Sequence, residues 1–156
     1  VTRKIGAIAE RLGTTVRTLR FYEEQGLVHP RRTPGGTRVY DAEDEQRFAA
    51  LLALARLGFS LEALADLAGI RPASRTGDEA SHRVGEQLHA MDVELAERAR
   101  AIERQRADIE RAQTFLHGCH GCRQRPVRAV CDACAVSAGL SGIGVLRVVW
   151  DEQSRD

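Results

Sequence analysis

From Asp78 to His117 the chain runs for roughly forty residues without a proline and with a single glycine, Gly85. A helix that long exceeds what one globular domain can usually cover, so it needs a partner along its length. The apolar pattern supplies a seam. Leu88, Leu95, Ile102, Ile109 and Leu116 recur every seven residues. The companion row, Met91, Arg98, Gln105 and Ala112, is only half apolar, whereas a parallel zipper needs both rows. The pattern therefore predicts a long antiparallel coiled-coil dimerisation helix over 78–117, or one that also packs on another element. The homodimer is the expectation; folding back of a single amphipathic helix onto its own domain is the alternative.

Upstream, Ile5, Ile8, Ala9 and Leu12 mark one face of a short helix that Gly13 ends. A second helix from Val16 to about Glu24 buries Val16 and Leu19 and stops at Gly26, giving a helix-turn-helix. Pro30, Pro34, Gly35 and Gly36 break the next stretch, and the alternation Thr37-Arg-Val-Tyr40 suggests a small hairpin or wing. Asp41 caps a third helix (Ala42 to Leu57) and Ser60 a fourth that ends at Gly69. Phe21 and Phe59 are expected in the core. The apolar run Ile143 to Trp150 suggests a strand or a cover segment, after a small, flexible stretch from Ala135 to Gly144.

Charge is uneven. Residues 1–40 carry eight basic and three acidic side chains, a balance of +5, while the remainder stands at −4. Such an N-terminal excess suits a polyanion, whose condensed counterions Lys and Arg displace. No apolar run approaches the ~20 residues that span a bilayer, and no signal peptide is evident, so no membrane partner and a cytoplasmic location are expected. Catalysis is not expected: no Ser–His–Asp or carboxylate pair has suitable spacing, and no phosphate-binding glycine loop appears.

All four cysteines fall in two Cys-x-x-Cys pairs, Cys119/Cys122 and Cys131/Cys134. Each turn can present two thiolates to one ion, and two turns complete a tetrahedral S₄ site. Zinc or another thiophilic metal, or a [2Fe–2S] cluster, fits that donor set. Two disulfides compete, but a reducing compartment disfavours them. A redox-active Cys-x-x-Cys enzyme would need a βαβ setting that this chain lacks. Arg123, Arg125 and Arg128 lie between the pairs and can offset the charge of four thiolates. His117 and His120 flank the first cysteine and are left outside the site.

Four motifs in order over the first 65 or so residues carry a resemblance: Ile5-Gly-Ala-Ile-Ala, Thr15-Val-Arg-Thr-Leu-Arg-Phe-Tyr-Glu-Glu-Gln-Gly-Leu27, Gly35-Gly-Thr-Arg-Val-Tyr40 and Leu57-Gly-Phe-Ser-Leu61. Together they resemble the MerR family of transcription regulators. The resemblance implies that the second helix enters the major groove with Thr15, Arg17 and Thr18 toward base edges or nearby phosphates. Arg20 and Tyr22 would position the backbone, and Arg38 and Tyr40 on the wing would grip a flanking phosphate. Tyr22 and Tyr40 also read as packing residues. Arg17 reads as a DNA contact, because Val16 and Leu19 already fill the apolar face. Family members repress, then twist and bend promoter DNA to realign it for RNA polymerase.

The family also frames the tail. Its metal-responsive members carry a cysteine pair spaced much like Cys122 and Cys131, and its redox-sensing branch holds a [2Fe–2S] cluster on four more closely packed cysteines. Gln124 stands where a third early cysteine of that branch would fall, and Gly77 where several metal sensors supply a cysteine from the partner's helix. All ligands are therefore expected from one tail. The fold expected is mainly α: a winged helix-turn-helix DNA-binding domain (1–70), a linker (71–77), the dimerisation helix (78–117) and a Cys-rich tail (118–156). The function expected is metal- or redox-responsive control of a promoter; the alternative keeps the DNA-binding head but makes the zinc structural, with an organic ligand or partner as signal.

Overall fold

Helices α1 (Ile5–Arg11) and α2 (Val16–Glu24) are joined by a tight turn in which Gly13 adopts φ +59°, a left-handed conformation free of cost only without a Cβ. Thr15 caps α2, its hydroxyl oxygen accepting the Thr18 N–H at 3.1 Å. The computed structural model describes residues 2–150, so residues 151–156 of the expected tail lie outside the described residues. α2 buries Leu19 and Tyr22. Phe21, expected in the core, is instead 46% exposed. With about 100° between successive residues, it lies well off the Leu19–Tyr22 stripe and one turn beyond the exposed Arg17.

The wing is a hairpin of two short strands, β1 (Arg31–Arg32) against β2 (Arg38–Val39), with Arg31 opposite Val39. Arg3 extends it by exchanging backbone hydrogen bonds of 2.8 and 3.0 Å with Tyr40. Helix α3 (Ala42–Arg56) opens on a reciprocal capping box between Asp41 and Asp44. α4 (Leu61–Gly69) opens on Ser60, whose hydroxyl oxygen accepts the Ala63 N–H. Ile8, Leu19, Leu27, Val28, Tyr40, Phe48 and Leu64 form the centre of this part, and Phe59 is buried as expected.

Helix α5 (Gly77–His117) is continuous over 41 residues. The chain divides into two compact units, with the division between Asp92 and Val93, inside this helix. In the first unit α5 buries Ala80 and Met91. In the second it buries Ala112 with Ile143 and Leu146, edged by Phe115, Leu116, Leu140 and Val145. Both buried members of the weaker heptad row, Met91 and Ala112, thus face the chain's own packing. Leu88, Ile102 and Ile109 of the stronger row stay exposed.

After α5 come a short helix α6 (Arg128–Cys131), 3₁₀ turns at Ala135–Gly142 and Gly144–Leu146, and α7 (Arg147–Trp150). The run expected as a strand or cover is helical and does cover α5 through Ile143 and Leu146. Among the described residues no strand neighbours it, and the Gly144 and Val145 N–H groups go to Asp108 instead; packing overrides β-propensity here. Among the described residues no helix is long and apolar enough to cross a membrane.

Candidate nucleic-acid interface and cysteine pocket

On α2, Thr15, Arg17 and Arg20 are exposed and Thr18 is half-buried. The Thr15 and Thr18 hydroxyls are hydrogen-bonded to each other at 2.9 Å, so the first turn of the helix presents a paired hydroxyl group and an exposed Arg17. Tyr22 is buried, and Tyr40 is only 1% exposed, packed at a ring-centroid distance of 5.8 Å from Phe48. These two rings belong to the core, and only their hydroxyl ends are polar.

Glu23 organises the wing. Its carboxylate accepts the Tyr40 hydroxyl at 2.9 Å and pairs with the Arg38 guanidinium. Burial, and then the Glu23 hydrogen bond, push the Tyr40 phenol up to about 12, while Arg38 and Arg20 act in the opposite direction. Arg20 on α2 and Arg38 on β2 therefore both lie within electrostatic reach of one hydroxyl, which ties α2 and the wing into one basic edge. Sequence reasoning missed Glu23. The signal was present as two adjacent acids, Glu23 and Glu24, inside a segment of net charge +5.

The remaining polar contacts hold this head rigid. Glu45 takes Arg11 at 2.7 Å and Arg3 at 3.0 Å, and Arg31 pairs with the Asp41 cap at 2.6 Å. The Arg11 hydrogen bond lowers the Glu45 carboxyl, and the Asp44 backbone N–H, with Arg31, lowers that of Asp41. Arg56 donates to the Leu12 carbonyl at 3.1 Å, satisfying a carbonyl that the end of α1 leaves open.

The tail presents both Cys-x-x-Cys pairs as closed turns. The Cys122 N–H donates to the Cys119 carbonyl at 3.1 Å, and the Cys134 N–H to the Cys131 carbonyl at 3.0 Å. Gly121 makes the first turn possible with φ +81°. All four thiols are free; Cys119 and Cys131 are half-buried, Cys122 and Cys134 exposed. They line one pocket of about 690 Å³ together with Phe115, Gln124, Arg125, Pro126, Val130 and Val136. Among the described residues no three Cys, His, Asp or Glu side chains converge closely enough to hold an ion. The thiols share the pocket without closing on its centre. As a donor set they suit a soft ion: four sulfurs, the Arg125 cation, and a wall that is mostly apolar apart from Gln124 and Ser137.

Of the three arginines between the pairs, Arg125 lines the pocket, and Arg128 pairs with Asp132 at 3.4 Å. His117 and His120 stand edge to face at 5.0 Å and line a separate depression with Glu110 and Gln113.

Residues 3–69 match the family model described as MerR HTH family regulatory protein. The chain is 32% identical over 117 residues to the HTH-type transcriptional regulator HmrR of Rhizobium leguminosarum bv. viciae, covering 75% of this chain and 86% of that one. It belongs to the MerR family. It is also 42% identical over 82 residues to the HTH-type transcriptional regulator ZntR homolog of Haemophilus influenzae; that match takes in 52% of this chain but only 61% of its relative. The crystal structure of HiNmlR, described as a MerR family regulator lacking the sensor domain, bound to promoter DNA, shares 26% identity at a TM-score of 0.51. That likeness covers 73% of this chain and 90% of HiNmlR. These MerR-family relatives are regulators, not enzymes, and the chain is classed with them.

Proposed function

We propose that this MerR-family chain is a homodimeric regulator that holds promoter DNA with α2 and the wing, and that a thiophilic metal ion at Cys119, Cys122, Cys131 and Cys134 changes how it holds it. The carrying observation is that four free thiols from two separate turns line one pocket. A soft divalent ion would draw the two turns together across that pocket, with Arg125 offsetting the excess thiolate charge. The exposed row Leu88, Ile102 and Ile109 supports pairing of two α5 helices, since an apolar seam of that length is unfavourable in water. In the DNA-bound state Arg17, Thr15 and Thr18 face base edges or nearby phosphates and Arg20 and Arg38 fix the backbone, while Tyr22 and Tyr40, expected from the resemblance as backbone contacts, are buried and act by holding α2 and the wing in place. Closure of the tail alters the geometry of the paired heads, and so the twist of the promoter offered to RNA polymerase.

A second reading keeps the DNA-binding head but assigns the signal to a small organic ligand, with any zinc purely structural. It is favoured by one observation: the pocket is far larger than an ion and is walled by Phe115, Pro126, Val130 and Val136.

Anaerobic purification followed by metal analysis and a visible spectrum tests the metal reading. One colourless zinc per chain, absent from the Cys131→Ser variant, whose removal by a chelator alters promoter binding, supports it; a zinc whose removal leaves promoter binding unaltered favours the second reading. A brown, bleachable species assigns a [2Fe–2S] cluster to the same residues. Protein that takes up neither leaves the organic-ligand reading standing and overturns the first.

A further inference from the structure

Asp108 lies on the face of α5 that packs against the returning tail, and it is only 9% exposed. A carboxylate removed from water needs partners, and Asp108 has three. One oxygen accepts the Val145 N–H at 2.6 Å, and the other accepts the Gly144 N–H at 3.2 Å and the Arg111 guanidinium at 2.9 Å. Sequence reading gave no hint of this. An Asp three residues before an Arg on a long helix looks like an ordinary solvated pair.

The contacts between α5 and the returning arm run in order. At the end of the helix, a Cβ on Gly118 would come within 3.1 Å of the Val136 side chain, and one on Gly139 within 3.5 Å of the Phe115 ring. Further back, Ile143 and Leu146 pack on Ala112, and Gly144 and Val145 reach Asp108. The arm therefore lies back along α5, antiparallel to it, and Asp108 holds its far end. Between the helix and this clasp lies the whole cysteine-bearing segment. Cys119 and Cys122 follow directly from the helix; Cys131 and Cys134 are on the arm that returns.

We propose that Asp108 is the positioning residue of the cysteine pocket: by holding Gly144 and Val145 on α5 it brings Cys131 and Cys134 back within reach of Cys119 and Cys122. This rests on the metal reading above and adds to it. With the clasp shut, the second thiol pair meets the first at a high effective concentration; with it open, metal binding must also bear the cost of closing the loop. The coupling runs both ways, so an ion bound across the pocket holds the clasp shut.

The whole 156-residue chain tests this in two variants, Asp108→Asn, which weakens the acceptor, and Val145→Pro, which deletes one donor within the first turn of a 3₁₀ segment, where proline is tolerated. Zinc affinity is measured by competition with a chromogenic chelator, and amide exchange at Gly144 and Val145 is followed with and without zinc. We expect both variants to bind zinc roughly tenfold more weakly, the scale of a modest coupling. In the unsubstituted chain zinc should slow exchange at both amides; in Asp108→Asn that zinc-linked slowing should be lost. An unsubstituted chain that binds zinc, with variants that bind it equally tightly and exchange unaffected by the metal, overturns the coupling alone. An unsubstituted chain that binds no zinc overturns the metal reading and, with it, the coupling.

Discussion

The Tyr40 hydroxyl donates to Glu23 at 2.9 Å, and through that bond the base of the wing is fixed to the recognition helix. Removing either partner has different consequences. Tyr40→Phe keeps the ring against Phe48 and costs about 1 kcal/mol, the net value of an ordinary hydrogen bond. Glu23→Ala leaves a buried hydroxyl without its acceptor and costs about 1–3 kcal/mol. Urea unfolding should rank the two in that order. Glu23→Ala also frees Arg38 and removes a negative charge from the surface proposed above to hold DNA. Its affinity for random duplex should rise while its preference for the operator falls, as read by fluorescence anisotropy at fixed salt.

Acid should destabilise the head through carboxylates that are better solvated by protein than by water. Arg11 and Arg3 lower the Glu45 carboxyl, and the Asp44 N–H and Arg31 lower that of Asp41. Because the folded values lie below the unfolded ones, this stabilisation is complete above the usual carboxylate range, about pH 4. It is lost as pH falls through the depressed values. Thermal melts at pH 7 and at pH 3 should show the decline, and Glu45→Gln, less stable at pH 7, should lose less on acidification.

Alkali acts on the two tyrosines in the opposite sense. Tyr40 is pushed up to about 12, and burial raises Tyr22 as well. A raised acid contributes stability that is present below its unfolded value near 10 and is lost as pH rises through the folded one. A phenolate absorbance titration of the folded chain should show no full step at the ordinary value. In Tyr40→Phe the highest step should vanish, and in denaturant both groups of the unsubstituted chain should return to normal.

The exposed seam of α5 predicts the oligomeric state. Ile102 is 59% exposed in the single chain. Ile102→Glu would bury a carboxylate in a paired seam and weaken dimerisation by roughly a hundredfold. Sedimentation equilibrium should show a dimer becoming a monomer with helical content retained. A substitution on the opposite, polar face, such as Arg104→Glu, should leave the dimer intact.

Much of this architecture was legible because it depends on local chemistry. The caps at Asp41 and Ser60, the turn at Gly13, the wing and the uninterrupted α5 all follow from residue types and spacing. The half-apolar heptad row was a true signal too, since Met91 and Ala112 are covered by their own chain. What escaped depends on contacts distant in sequence. Phe21 reads as core from composition but faces outward, because Leu19 and Tyr22 already define the buried stripe. Arg3 looks like a free charge, yet its backbone completes the wing and its side chain reaches Glu45. The β-branched run after Ile143 folds as helical turns because Asp108, 36 residues from Gly144, supplies the acceptor. At the cysteines, spacing identified the thiols, while the size and apolar wall of the pocket they share came only from the way the tail folds back.

The account turns on the link between the thiol pocket and the DNA. Transcription by RNA polymerase in vitro from a promoter that the protein retains, with the chain first stripped of metal and then supplied with zinc, measures it most directly. We predict that zinc alters transcript yield at unchanged protein concentration, and that Cys131→Ser still binds the promoter but no longer responds. Equal yields from the stripped and loaded protein, both bound to the promoter, would contradict it.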